Sequence, residues 1–358
     1  MIANMHEIID TLRENRWDAL VLHSPQNRRY LTGVRSSAGA VVITVAAQIV
    51  FVTDFRYITA ARKALEGTCI VCEMVEAGGE NAWIGEYLRE KGCSIIAVED
   101  QFLTAAQMDE LKALWAGELV NAGDLLMRIR REKTEGELAK IQAAQAIAEQ
   151  SLVQTLEIAN PGVTERQIAA YLTWRLLENG SENGVFGIVV ASGPNSALPH
   201  AMPTDRALQR GDFLLIDFGA IYDGYYSDIT RTVAIRSADD EMRRVYDVVL
   251  EANQAAITAI RPGIGAADVD AAARVLIQKA GFGSFFGHGL GHGVGLDIHE
   301  KPSLRQCTED ILQINHVVTV EPGVYLPGRF GVRIEDLLAV TEDGCRNMTK
   351  MNKKLMIL

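Results

Sequence analysis

Hydrophobic and polar positions along the first third of the chain switch between two periods. Short apolar runs bounded by turn residues, "ALVLH", "GAVVITV", "QIVFVTD" and "SIIAVED", have the length and composition of buried strands. Between them, "HEIIDTLREN", "RYITAARKAL", "NAWIGEYLREK" and "TAAQMDELKALW" space their apolar residues three and four apart, which predicts amphipathic helices. The alternation predicts an α/β domain over residues 1–127. "TCIVCEMV" reads as a further buried strand that points Cys69 and Cys72 to opposite faces.

The pattern then changes. A basic stretch, "LMRIRREK", runs into a long Ala/Gln/Glu-rich segment, and Thr134 with Glu137 has the spacing of a capping box. A helix start and a domain boundary are expected there, with a second domain over 128–358. Within it the sequence repeats. "NPGVTERQIAAYLTWRLLENG" (160–180) and "RPGIGAADVDAAARVLIQKAG" (261–281) have equal length, and Pro161, Gly162 and Gly180 recur 101 residues later as Pro262, Gly263 and Gly281. Each reads as a turn followed by a helix that ends at glycine. "LLIDFGAIY" is answered by "VVTVEPGVY" and "YSDITRT" by "GVRIEDL", so the second domain is two related halves.

Each half contains a predicted hairpin with an acid on either arm. Asp217 and Asp228 flank "IYDGYY", whose Asp-Gly is a strong two-residue turn signal. Glu321 and Glu335 flank "LPGRFG" in the same way. An ionised acid inside "FLLIDFGA" or "VVTVEPGV" is costly unless a cation meets it. Four acids at matching places in two repeats would repel one another unless divalent cations sat between them, and oxygen-rich ligation with one imidazole suits Mn, Co or Zn.

The imidazole comes from "GHGLGHGVGLDIHEKPS" (287–303), which holds three of the seven histidines and five glycines. Glycines allow backbone to approach a crowded site, and they present His288 and His292 from an irregular segment. The spacing fits neither a dinucleotide fingerprint nor a P-loop. His200 stands between turn residues in "ASGPNSALPHAMP"; spacing alone leaves it a loop histidine.

Composition narrows the class. A net charge of −11 and the absence of a Lys/Arg run with interleaved aromatics argue against a nucleic-acid partner. No window approaches 18 uninterrupted apolar residues and the N-terminus lacks the basic-then-apolar pattern of a signal peptide, so neither a membrane nor secretion is expected. Five thinly spread cysteines suit the cytoplasm, and the lone C-x-x-C has no second pair to complete a zinc site.

At these motifs the chain resembles the pita-bread metallopeptidases, closest to the Xaa-Pro aminopeptidases and prolidases. "NRRYLTG" and "VTDFRY" resemble the creatinase-type N-terminal domain; "SGPNSALPH", "IDFGAIYDGYYSDITRT", "FFGHGLGHGVGLDIHEKP", "VEPGVY" and "VRIED" follow in the family's order. The resemblance implies an α/β creatinase-like N-terminal domain and an α+β pita-bread catalytic domain with an internal pseudo-twofold repeat. It further implies two divalent ions per chain, with Mn ahead of Co or Zn. Asp217 would chelate one ion, Asp228 and Glu335 would bridge the pair, and His292 and Glu321 would complete the other, the pair activating a hydroxide.

Glu321 would shuttle the proton, His200 and His299 would hold the substrate carbonyl, and His288 and Arg333 would support the ligands. The implied substrate is a peptide with proline second, and the implied assembly a homodimer. The prolidases usually carry an arginine directly after "HExP", whereas this chain has Ser303 there and its nearest guanidinium at Arg305. That departure favours an Xaa-Pro aminopeptidase over a prolidase cleaving Xaa-Pro dipeptides. Methionine aminopeptidase, a metal-free creatinase-like amidinohydrolase and a non-catalytic binding protein of the same fold are weaker readings, the last two because all five ligand positions are intact.

Overall fold

The computed structural model of the chain describes residues 4–182 and 187–358. The chain divides into two compact units, Met1–Ile129 and Arg130–Leu358.

The first unit is built on one six-stranded sheet. Its strands are β1 (Ala19–Leu22), β2 (Ala40–Thr44), β3 (Ile49–Asp54), β4 (Ile70–Val75), β5 (Ile95–Val98) and β6 (Glu118–Asn121), in the order β4-β3-β2-β1-β5-β6. β1 to β3 are buried along their whole length, as expected for apolar runs covered on both faces. The helices are α1 (Met5–Asn15), α2 (Pro25–Thr32), α3 (Ile58–Ala64), α4 (Glu80–Glu90), α5 (Ala105–Leu114) and α6 (Leu125–Arg131).

Two features depart from the sequence pattern. β4 was expected to be buried, but it is an edge strand with only Ile70 buried; Cys69 is exposed and Cys72 half-buried. α2 gave no apolar signal because its inward face is Asn27, Arg28, Leu31 and Thr32. Polar bonds hold that face: Arg28 donates to the carbonyls of His23 (2.7 Å), Ser36 (2.8 Å) and Gly39 (2.5 Å).

The second unit repeats one pattern of elements. Its first half has α7 (Glu135–Leu156), α8 (Glu165–Glu178), β7 (Val189–Ser192), β8 (Phe213–Phe218), β9 (Ile221–Tyr222), β10 (Tyr225–Tyr226) and β11 (Ile229–Ala234). The second has α9 (Asp240–Ala259), α10 (Ala266–Lys279), β12 (Gly291–Gly293), β13 (Glu300–Leu304), β14 (Val317–Val320), β15 (Gly323–Leu326), β16 (Phe330–Arg333), β17 (Asp336–Val340) and β18 (Cys345–Asn347). Thr134 and Glu137 form both bonds of the capping box that opens α7. α8 and α10 have the same length, 14 residues, and the glycines before and after them, Gly162, Gly180, Gly263 and Gly281, all take positive φ.

Each helix pair covers its own half's strands. Leu152 and Leu172 pack with Ile216 and Val233 in the first half, and Val249 and Val269 with Val318, Val320 and Leu338 in the second. At about 25 cal/mol per Å² of apolar surface removed from water, these two clusters supply the drive that holds the acid-bearing hairpins in place.

Candidate metal centre

The first hairpin follows from its turn. Asp223 and Gly224 have φ of 46° and 83°, the left-handed pair that a two-residue hairpin with the natural strand twist requires. The register runs unbroken through Tyr222↔Tyr225 and Asp217↔Thr230. Asp217 and Asp228 are therefore diagonal neighbours on one face, with Thr230 directly across from Asp217. In the second hairpin, Val320 pairs with Asp336 and Gly323 with Arg333, so Glu321 and Glu335 fall opposite each other just outside the paired residues. The two hairpins meet where the Glu335 N–H donates to Thr230 O at 3.1 Å and the Thr230 hydroxyl donates to Glu335 Oε2 at 2.6 Å.

The glycine-rich segment sits against the second hairpin as a narrow strand. A Cβ on Gly291 would lie 2.1 Å from Thr319 O, and one on Gly293 2.4 Å from Lys301 O; only hydrogen fits between these backbones. His292 is thus on β12 and not on an irregular segment as the sequence suggested, while His288 does precede the strand. The His292 Nδ1–H donates to Gly293 O (3.0 Å), so Nε2 is the ring atom that faces the carboxylates. That Nε2 lies 3.3 Å from Glu321 Oε1 and 3.6 Å from Asp228 Oδ2.

One cavity of about 290 Å³ gathers the site: Asp217, Asp228, Glu321 and Glu335 line it together with His200, His288, His292, His299, Ser303, Arg305 and Arg333. Donor atoms of Asp228, His292 and Glu335 all fall within 4.8 Å of one another. Glu321 is held by His292, and Asp217 is paired with the Arg333 guanidinium. The His299 ring stands edge-on to His292 with centroids 4.4 Å apart.

Thr230 and Tyr325, which were not singled out from the sequence, complete the arrangement around Arg333, which was. Arg333 donates from Nε to the Thr230 hydroxyl (3.1 Å) and from Nη1 to the Tyr325 hydroxyl (2.7 Å) and Pro199 O (3.2 Å), the carbonyl next to His200. Tyr325 in turn meets His288 Nε2 at 2.9 Å, while the His288 Nδ1–H donates to Gly289 O. Tyr325 was present in "VEPGVY" but carried no mark beyond an aromatic in a strand.

The electrostatics of this cluster are those of a cation site. Burial, and then the charge of Asp217, push the Asp228 carboxyl well above its ordinary range. Burial and then Asp228 do the same to Glu335. Burial works the same way on Glu321, but the hydrogen bond and charge of His292 outweigh it and bring it down to about 2. Among the described residues the ion pairs of these four carboxylates are with Arg333 and His292, so a further positive charge among them is what would let all four ionise. Oxygen donors plus an imidazole Nε2 that gives up its proton to a cation fit a divalent first-row ion.

The metallopeptidase family M24 profile matches residues 139–342 and the creatinase/prolidase N-terminal domain profile residues 5–131. The chain belongs to metallopeptidase family M24. Among its M24 relatives, an uncharacterized peptidase, YqhT of Bacillus subtilis, is 36% identical over 95% of this chain and 96% of its own length. An Xaa-Pro dipeptidase of Pyrococcus horikoshii is 34% identical over 99% of both chains. Among solved structures, an Xaa-Pro dipeptidase from Bacillus anthracis superposes with TM-score 0.93 at 36% identity, and an X-Pro aminopeptidase from Thermotoga maritima with 0.90 at 32%, each covering 99% of both chains. The M24 chain is a metallopeptidase with a creatinase-type N-terminal domain and a pita-bread catalytic domain.

Proposed function

We propose that this M24 peptidase hydrolyses the Xaa-Pro bond of dipeptides, using two divalent ions, with manganese the first candidate. The observation that carries the reading is the convergence of four carboxylates and the Nε2 of His292 on one cavity. Asp217 would hold one ion, His292 and Glu321 the other, and Asp228 and Glu335 both. When bound, the ions supply Lewis acidity that polarises an amide carbonyl and acidifies water near neutral pH. Glu321 takes the proton of the attacking water on a carboxylate oxygen and passes it to the leaving proline nitrogen. His299, beside His292, and His200, on the segment tethered by Arg333, hold the substrate carbonyl oxygen as negative charge builds on it. Arg333 offsets Asp217, and through Tyr325 it orients His288.

The order expected from sequence, aminopeptidase before dipeptidase, is reversed here. Relatives and structural neighbours that bear the name Xaa-Pro dipeptidase support the change, and so does the cavity wall. Arg305 lines the same cavity as His200 and His299, where a guanidinium suits the free carboxylate of a two-residue substrate. It does from two residues further along what an arginine at position 303 would do. Longer Xaa-Pro peptides remain the second reading, favoured by Ser303 and by the X-Pro aminopeptidase neighbour.

Steady-state kinetics on Ala-Pro and Ala-Pro-Ala test the assignment. The wild type should prefer Ala-Pro, and Arg305→Ala should raise KM for Ala-Pro about tenfold or more while changing Ala-Pro-Ala little. A wild type that prefers the tripeptide, unmoved by Arg305→Ala, overturns the dipeptidase reading and restores the aminopeptidase one.

A further inference from the structure

Behind the carboxylates lies a buried polar network that the proposed chemistry does not use. Asn253 of α9 is fully buried. Its Nδ2 donates to Val320 O at 3.0 Å and to Ile334 O at 3.3 Å, the two carbonyls that immediately precede Glu321 and Glu335. One amide thus ties together the main chain of both arms at the point where their acids emerge. The orientation of that amide is set from its other end, because Oδ1 accepts from Lys353 Nζ at 2.7 Å.

Lys353 does more than orient Asn253. The same ammonium donates to Asp336 Oδ2 at 2.5 Å. Asp336, the residue after Glu335, is itself buried and takes Arg231 on its other oxygen at 2.9 Å. Arg231 bonds the carbonyls of Thr230 and Glu335 (2.9 and 2.5 Å), so it joins β11, beside Asp228, to the link between β16 and β17 that bears Glu335. Lys353 belongs to the last stretch of chain, which is fastened to both halves: Gln142 donates to Met348 O and Gln145 to the Thr349 hydroxyl from α7, and Tyr246 donates to Lys353 O from α9.

We infer that Lys353, acting through Asn253 and Asp336, is a positioning residue that sets the separation of Glu321 and Glu335 and thereby the affinity of the site for divalent cations. The inference rests on the metal reading above. Carboxylates carried on separate arms bind a small cation tightly only when their spacing is held in advance, because otherwise each binding event must order them. A two-carbonyl bridge by one side-chain amide is a stiff way to hold it. Without Lys353 the amide loses the partner on Oδ1 and can rotate, and Asp336 loses one of its two cations.

The test measures Mn²⁺ binding to metal-stripped full-length protein by titration calorimetry, alongside thermal unfolding of the same metal-free samples. Lys353→Met should bind Mn²⁺ about 10- to 100-fold more weakly at one or both sites, the loss typical of removing an outer partner of metal ligands. Lys353→Arg, which keeps the charge and the donors, should recover to within about threefold. Asn253→Ser, which changes no charge but is too short to reach both carbonyls, should lose affinity as Lys353→Met does, and it stands in if that variant fails to fold. Variants that unfold at lower temperature yet bind Mn²⁺ as the wild type does would make the network purely structural and overturn the inference. A wild type that takes up no Mn²⁺ removes the metal reading, and this inference falls with it.

Discussion

Two acids of the same cavity are pulled in opposite directions. Asp228 is driven up by burial and by Asp217, whereas Glu321 is held near 2 because its contact with His292 outweighs burial. Glu321 is the carboxylate to which the proposed chemistry gives the proton transfer. Glu321→Gln keeps the shape and loses the acceptor, so kcat on Ala-Pro should fall at least about a hundredfold while circular dichroism stays unchanged. Tyr325→Phe should act more mildly: it cuts the link between Arg333 and His288 without touching an acid, so kcat/KM should drop about tenfold, worth about 1.4 kcal/mol, with metal content unaltered. An equal loss of metal in Tyr325→Phe would place the tyrosine's role in the metal site instead. The acids were legible in the sequence because a carboxylate in an apolar strand is conspicuous. Tyr325, Thr230 and Asn253 were not, since a hydroxyl or amide within a strand or helix gains meaning only from the partners that folding brings to it.

At the scale of elements, the glycines of β12 are a steric requirement. Gly291→Ala would press a methyl into Thr319 O, parting β12 from β14 and shifting His292; the expected outcome is a lower unfolding temperature together with loss of activity, read by calorimetry and assay. In the first unit, His23 follows β1 and is buried; burial first, helped by the Arg28 charge, lowers it to about 4, against Glu110 and a hydrogen bond with Asn81. An unfolded histidine takes its proton near pH 6.5, whereas the folded one holds out to about 4. This group's contribution is therefore complete above pH 6.5 and is lost as pH falls from 6.5 to 4, about 3 kcal/mol in all. His23→Gln removes the titration, so the drop in unfolding temperature between pH 7 and pH 5 should be shallower than in the wild type, with His316, also held near 4 by burial, keeping its own share. An unchanged slope would contradict the assignment. The paired helices α8 and α10 could be read from their glycines and spacing; α2 could not, because polar bonds and not an apolar stripe hold its inner face, and β4 misled because an apolar run does not reveal that its strand lies at a sheet edge.

For the whole molecule, the repeat explains why a site of four acids exists at all. Each half on its own presents two carboxylates from one hairpin, and contacts between the halves, that of Thr230 with Glu335 among them, bring the sets together. A cation bound between them would link the halves, so added Mn²⁺ should raise the unfolding temperature of the second unit and a chelator should lower it, by an amount that grows with ion concentration. No helix among the described residues is long and apolar enough to cross a membrane. The proposed metal-dependent Xaa-Pro dipeptidase activity is tested by the release of proline from Ala-Pro by chelator-treated protein as Mn²⁺ is titrated back. The stripped protein should show no turnover, with recovery that saturates at two ions per chain; full turnover without metal, or none at any Mn²⁺ concentration, would overturn the assignment.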